Sequence, residues 1–344
     1  AILMEAKTGK VLFEKAPDEW VAPASITKIM SLLLIMEAIE RGDLALTEQV
    51  TCSDYAASMR GSQIWLEPGE IMSVNDLLKA VAVGSANDAT VALAEKVAGS
   101  EAAFVDMMNR RAEELGLTNT HFTNSNGLDS EDHFTSARDT AIIASELLKH
   151  KLIIQYSTIW MDSLRNGKTE LVNTNRLVRF YNGITGLKTG TTSKAGSCLA
   201  ATAERNGLAL IAVVMGAETS DKRFASARTL LDYGYANYTM HTPNAPDMPL
   251  EVAVKGGTEE KVQAIPEGIT SIVIPKGYEK SITYTTDLTP TCEAPVEKGQ
   301  ILGRVIIKAN DQEIGGYNLI AQTAVEKMTF FKALQRLFFG FISL

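Results

Sequence analysis

Residues 23–37, PASITKIMSLLLIME, set the reading of the chain. Between Ala24 and about Arg41 the apolar positions Ile26, Ile29, Met30, Leu33, Leu34 and Met36 cover more than one helical face. That spread predicts a helix buried on most sides, and Arg41-Gly42-Asp43 ends it. Ser25 and Lys28 stand three apart at its start. On a helix such a pair shares one face with Cβ atoms roughly 5–6 Å apart, so the amine reaches the hydroxyl. Serine is a weak nucleophile until a base takes its proton. Lysine can be that base only where burial or cationic neighbours lower its pKa from about 10.4. Taken alone, the pair also reads as an N-capping serine followed by a surface lysine.

Outward from this helix the chain divides by style. Residues 1–15 predict a β-hairpin, with AILMEA and KVLFEK flanking KTG. Helical periodicity returns over 73–115 and 135–150. GSCLAATAE (196–204) and GLALIAVVMGAE (207–218) predict strands turning at Asn206-Gly207, followed by a helix from about Asp221 to Tyr235. Strands at both ends with helices between predict a single sheet completed late in the chain, an α+β unit spanning 1–240. The proline-bearing stretch HTPNAPDMPL (241–250) reads as a linker. Short strands then alternate with Gly, Pro and Asp turns, which makes 246–325 a small all-β domain.

Composition narrows the function classes. The 344 residues are 45% hydrophobic and 22% charged, ordinary for a folded chain long enough for two domains. A formal net charge of −8 without a long Lys/Arg run argues against nucleic-acid binding. Cys52, Cys198 and Cys292 are too few and too scattered for a disulfide framework or a cysteine zinc site, and read as small buried residues. His121, His133, His150 and His241 lack metal-ligand spacing, so neither metal nor cofactor is expected and the histidines read as surface or packing positions. Asp88 and Asp139 read as caps or pairing partners. The chain opens at Ala1 in a strand-like pattern, and no signal peptide or membrane span is read in it.

Two further stretches carry chemistry. In GSANDA (84–89), Ser85 and Asn87 lie between two helical segments, and residues two apart in extended chain point the same way. The plainer reading is that Asn87 or Asp88 caps the next helix. In GLKTGTT (186–192), Lys188, Thr189, Gly190 and Thr191 read either as a site or as a strand end beside a turn. Gly190, without a side chain, lets a substrate backbone lie against an edge strand.

Together, in this order, the three stretches resemble the motif set of serine β-lactamases and penicillin-binding proteins, with Ala86 where a Ser-Asp-Asn middle motif has Asp. The chain resembles the D-alanyl-D-alanine carboxypeptidases, the low-molecular-mass penicillin-binding proteins with a C-terminal β domain. The likeness runs nearly end to end, through PASITKIM, VGSANDA, TNSNGLDSEDHFTSARD, GITGLKTGTTSKAG and VVMGAETSDKRF. It implies a β-lactamase/transpeptidase-like antiparallel sheet with helices. It implies removal of the last D-alanine from peptidoglycan stem peptides ending in D-Ala-D-Ala, and trapping by β-lactam antibiotics. Carried over by position, Ser25 is the acylated nucleophile, Lys28 its proton acceptor, Ser85 a proton relay and Asn87 the holder of the substrate amide. Lys188 anchors the hydrogen-bond network, the N–H groups of Ser25 and Thr191 form the oxyanion hole, and Arg223 with Thr189 binds the terminal carboxylate. The stretch before TSARD lacks the glutamate pattern that serves deacylation in class A β-lactamases, although Glu131 lies nearby; slow β-lactam release is implied. A DD-endopeptidase or β-lactamase would share these motifs, and a non-catalytic cell-wall-binding scaffold is the rival of a different class.

The tail TFFKALQRLFFGFISL places Phe330, Phe331, Leu334, Leu337, Phe338 and Phe341 on one helical face and Lys332, Gln335 and Arg336 opposite. Two basic residues interrupt it, so residues 326–344 predict an amphipathic helix lying in a membrane interface rather than a span. Phe331, Leu334, Phe338 and Phe341 would enter the bilayer surface. The alternative is a helix packed on the β domain or a partner. As in the family, the place implied is the outer face of the cytoplasmic membrane, with the β domain as a spacer.

Overall fold

The computed structural model describes residues 1–247 and 249–334. The chain divides into two compact units, Ala1–Ala236 and a second beginning at Asn237.

The first unit is organised by a five-stranded antiparallel sheet whose order is Val11–Glu14, Ile2–Glu5, Leu208–Ala217, Gly196–Arg205, Ile184–Thr192. The N-terminal hairpin thus joins the sheet late: Ile2 stands opposite Val213 and Leu3 opposite Ala212, some two hundred positions later. Its turn is held by the buried carboxylate of Glu5, which accepts from the N–H groups of Lys7 and Thr8 and from the Thr8 hydroxyl. The turn between Gly196–Arg205 and Leu208–Ala217 uses Asn206 and Gly207 with φ of 50° and 80°, the mirror-image turn that matches strand twist.

Helices fill the space between the strands in sequence. The PASITK stretch forms a 3-10 turn, Ala24–Thr27, running into an α-helix, Lys28–Arg41, that ends on Gly42 with φ 81°. The α-helix therefore begins one turn later than the apolar pattern alone suggests. Ten of its residues are buried, including Lys28 and Ser31, which explains why its apolar positions cover more than one face. It packs against Asn87–Ala98, Glu101–Glu114 and Ala137–Lys149. Cutting one such core leucine to alanine typically costs about 2–5 kcal/mol, so this helix anchors the unit. Three helices, Val74–Ala82, Glu101–Glu114 and Ala137–Lys149, begin at serine N-caps. Ser73, Ser100 and Ser136 each accept the N–H three residues on, which satisfies a free donor of the first turn. The last helix runs from Ser220 to Asn237. Between 151 and 183, where the sequence patterns give no assignment, lie a short helix, Leu152–Ser157, and a hairpin, Met161–Leu164 with Thr169–Val172.

The second unit is almost entirely strand. A six-stranded sheet runs Ile282–Leu288, Ile301–Ala309, Gln312–Ala321, Lys261–Pro266, Leu250–Lys255, Thr291–Glu293, and Tyr238–His241 pairs separately with Ile272–Pro275. Leu250–Lys255 and Lys261–Pro266 alternate buried and exposed residues, so one face supplies Val252, Val254, Val262 and Ala264 to a core shared with Val305, Ile307 and Leu319. Residues 330–334 are helical, and Phe330, Phe331 and Leu334 are exposed. Phe338 and Phe341 lie outside the described residues. Among the described residues no helix is long and apolar enough to cross a membrane. Cys52 and Cys198 are buried, whereas Cys292 is only partly so.

Candidate active site

In a 3-10 turn residues three apart eclipse, and that geometry stacks Ser25 directly over Lys28. The turn departs from ordinary backbone at its first residue, Ala24, with φ 48°. Ser25 is not a helix cap: no side-chain cap bond is made there, which removes the capping alternative. Lys28 is not a surface lysine either, since it is wholly buried. Its Nζ lies 3.0 Å from Ser25 Oγ, 2.6 Å from Asn87 Oδ1 and 2.5 Å from the Asn126 carbonyl oxygen. Burial holds its pKa well below the usual lysine range, and the charge of Lys188 adds to that against an opposing pull from Asp88. A neutral amine has two N–H bonds and one lone pair. Asn87 Oδ1 and the Asn126 carbonyl can only accept, so they take both N–H groups and the lone pair is left facing Ser25 Oγ.

The Ser85 to Asn87 stretch sits against this pair. Ser85 has φ 61°, a left-handed conformation that costs a non-glycine residue of order 1–3 kcal/mol and so is held by its surroundings. Lys188 Nζ donates to Ser85 Oγ at 2.9 Å and to the Thr189 carbonyl at 3.1 Å. Lys188 is buried as well, and its pKa is pushed down to about 7 by desolvation and then by the charge of Arg223. Asn87 bridges outward too, its Nδ2 donating to the Arg60 carbonyl and its N–H to that of Ser62. Neither Asn87 nor Asp88 caps the helix, whose N-cap is Ala86. The buried Asp88 carboxylate instead accepts from the N–H groups of Ile64, Leu66 and Ala89, which pins the 60–66 segment along that helix.

The third wall is Ile184–Thr192, an edge strand of the sheet. Thr189 Oγ1 donates to Thr174 Oγ1. Arg223 is nearly buried; its Nη1 donates to the carbonyls of Gly190 and Cys198 and to Thr191 Oγ1, while its Nε has no hydrogen-bond partner. Gly190 serves a different contact from the one its sequence suggests. A Cβ there would lie 2.9 Å from the Pro23 carbonyl oxygen and 3.0 Å from the nitrogens of Ser25 and Ile26. The bare Cα faces the nucleophile turn.

Ser25, Lys28 and Asn87 thus form one hydrogen-bonded group, Ser85 and Lys188 a second, and Arg223 with Gly190 and Thr191 a third, with Gly190 packed on the Ser25 turn. Phe331 and Leu334 belong to the other unit. Sequence reasoning gives no role to three residues that hold the site. Asn126 acts through its carbonyl oxygen on Lys28. His133, buried and with its pKa pushed down to about 4 by desolvation, accepts from the Thr123 N–H at Nδ1. Its Nε2–H therefore donates to Thr27 Oγ1, 2.7 Å away in the Ser25–Lys28 segment. Glu101 anchors Ser125 beside them. The only sequence signal for these contacts is the turn-rich TNSNG itself. Glu131 is exposed.

The profile of the D-alanyl-D-alanine carboxypeptidase family matches residues 1–219, and that of the penicillin-binding protein 5 C-terminal domain matches 238–327. The D-alanyl-D-alanine carboxypeptidase DacF of Bacillus subtilis is 42% identical over 341 residues, covering 98% of this chain and 88% of that protein. DacC of Escherichia coli, of the same description, is 37% identical over 339 residues, covering 96% and 84%. The crystal structure of penicillin binding protein 5 from Haemophilus influenzae superposes with a TM-score of 0.88 at 32% identity, covering 95% of this chain and 96% of that one.

Proposed function

The chain belongs to the D-alanyl-D-alanine carboxypeptidase family, and from that premise we propose how its residues divide the work of a serine hydrolase that removes the terminal D-alanine of peptidoglycan stem peptides. Lys28, neutral, takes the Ser25 proton on its lone pair as Ser25 Oγ attacks the carbonyl carbon of the penultimate D-alanine. The N–H groups of Ser25 and Thr191 receive the oxyanion. Collapse expels D-alanine, whose nitrogen gains a proton through Ser85, and water then hydrolyses the acyl-Ser25 ester. Lys188 holds Ser85 Oγ as acceptor, which leaves the Ser85 hydrogen free for the leaving nitrogen. The observation that carries this reading is the buried Lys28 amine, whose two other partners are obligate acceptors. Exposure to a penicillin followed by mass spectrometry tests it: the adduct should lie on the peptide containing Ser25, and an adduct elsewhere overturns the assignment.

Arg223, bound to the Gly190 carbonyl and the Thr191 hydroxyl, supplies the positive charge that a free C-terminal carboxylate needs, with Thr189 assisting. Arg223→Ala should cut kcat/KM on free-acid peptides roughly 10- to 100-fold, the worth of a charge-assisted hydrogen bond. Peptides with an amidated terminus should lose much less. Equal losses on both would make Arg223 a support for the Gly190 and Cys198 carbonyls and nothing more.

A cell-wall substrate places the enzyme outside the cytoplasm, and the tail supplies a way to hold it at the membrane surface. Phe331 and Leu334 are exposed on adjacent turns of one helical face, an arrangement that suits an interface. Lys332 pairs with Glu326, so Lys327 is the better source of attraction to anionic lipid, about 1 kcal/mol per group near the surface, and Arg336 lies outside the described residues. The full chain should sediment with anionic vesicles, whereas truncation after Ala324, or Phe331→Glu with Leu334→Glu, should leave it in the supernatant with hydrolysis of small peptides unchanged. Binding that survives the double substitution would locate the membrane contact elsewhere.

A further inference from the structure

The loop carrying Asn126 is tied down from behind by a carboxylate that touches none of the reacting groups. Glu101 is the first residue of the Glu101–Glu114 helix and is almost fully buried. One of its oxygens accepts from both the N–H and the hydroxyl of Ser125, at 3.0 and 2.6 Å, and the other accepts from Tyr55 Oη at 2.6 Å. The helix N-terminus at its back favours the negative charge. Ser125 in turn offers its carbonyl to Ser31 Oγ, one turn along the helix from Lys28. The next carbonyl, that of Asn126, is the one on Lys28 Nζ. Gly127 closes the approach: a Cβ there would fall 1.9 Å from the Ala24 carbonyl oxygen, so the loop lies directly on the nucleophile turn.

We propose that Glu101 is a positioning residue for the general base: by clamping Ser125 it aims the Asn126 carbonyl at Lys28 and so fixes the direction of the amine's lone pair toward Ser25. This rests on Lys28 acting as the base. Two N–H acceptors define where a neutral amine points its third position, and if one acceptor swings away the amine can rotate and aim an N–H at Ser25 instead. Tyr55 covers the carboxylate from the solvent side, and Asp88 and Lys188 are the charged groups acting on Lys28 itself.

The consequences separate into two readouts of penicillin acylation followed against pH. In Glu101→Ala the plateau rate should fall roughly 10- to 100-fold, the scale of a misplaced reacting group. Its acid limb should move to lower pH, because the Asn126 carbonyl, an acceptor that favours the ammonium form, is no longer held on Lys28. Glu101→Gln keeps a carbonyl oxygen for the Ser125 N–H; it should recover most of the plateau and return the limb toward the parent position, and being isosteric it tests the idea should the alanine variant not fold. A folded Glu101→Ala protein with unchanged plateau and limb overturns the proposal. So does a fallen plateau with no shift of the limb, or one that glutamine does not recover. A parent protein with no acid limb at all would instead remove Lys28 as the base, an outcome visible before any variant is made.

Discussion

Ser25→Ala is expected to abolish both peptide hydrolysis and β-lactam acylation, a loss of about 10⁶ in turnover by analogy with other serine hydrolases stripped of their nucleophile. No covalent adduct should be detectable by mass. Lys28→Ala should keep the hydroxyl and lose its proton acceptor, slowing acylation by about 10²–10⁴. The acid limb of the rate profile should disappear with it. Burial holds the Lys28 pKa well below the ordinary value, so the amine gives up its proton more readily than a free lysine, and protonating it on acidification should switch the parent enzyme off. The stability of the Lys28→Ala protein is a necessary companion measurement, since Asn87 Oδ1 and the Asn126 carbonyl lose their buried donor. An adduct formed at the parent rate in a folded Lys28→Ala protein would defeat the assignment.

Two buried amines in one site raise the question of how both are tolerated. The charge of Lys188 lowers the pKa of Lys28, that of Arg223 lowers the pKa of Lys188, and the two amines are served differently. Lys188 donates to Ser85 Oγ and to the Thr189 carbonyl and lies within the field of Arg223, with its pKa near 7. Lys28 has no carboxylate among its direct partners, and only Asp88, itself engaged by three N–H groups, pulls toward the charged form. Burial lowers the pKa of both amines, and it is Lys28 that faces the nucleophile.

What was legible in the sequence follows from which groups carry the contacts. Side chains that meet side chains left a trace: Ser25 and Lys28 by their three-residue spacing, and the hairpins by Asn206-Gly207 and the flanking apolar runs, whereas the extended chain read at Ser85 and Asn87 is not found, Ser85 being left-handed and Asn87 helical. Contacts made by backbone left none. The Asn126 carbonyl on Lys28 could equally have been presented by another residue type, and Asp88 holds the N–H groups of Ile64 and Leu66, which any sequence possesses. Strained conformers were hidden for the same reason, since φ 61° at Ser85 is a property of its surroundings and not of serine. The three-residue strand Thr291–Glu293, paired in parallel with Leu250–Lys255, is too short for alternation to register.

Gly190 illustrates the limit best and gives the second large expected effect. From sequence it reads as room for a substrate chain beside an edge strand, but the space its missing side chain leaves is already occupied by Pro23, Ser25 and Ile26 backbone. All three neighbours are backbone of the 3-10 turn or of its N-cap residue Pro23, and none is a flexible side-chain end that could swing aside. Gly190→Ala must therefore push the strand and the turn apart. One of the crowded atoms is the Ser25 nitrogen, the proposed oxyanion donor, and the displaced strand carries Thr191, the other. Acylation should fall by about 10²–10³, as when an oxyanion donor is lost, while the overpacking costs stability only about 1–3 kcal/mol. Circular dichroism and thermal denaturation alongside acylation kinetics distinguish the two. A rate within about threefold of the parent, which is under 1 kcal/mol of barrier, would mean that the strand and the nucleophile turn are not held as one rigid piece. The glycine of the Lys-Thr-Gly stretch would then owe its place to substrate approach after all.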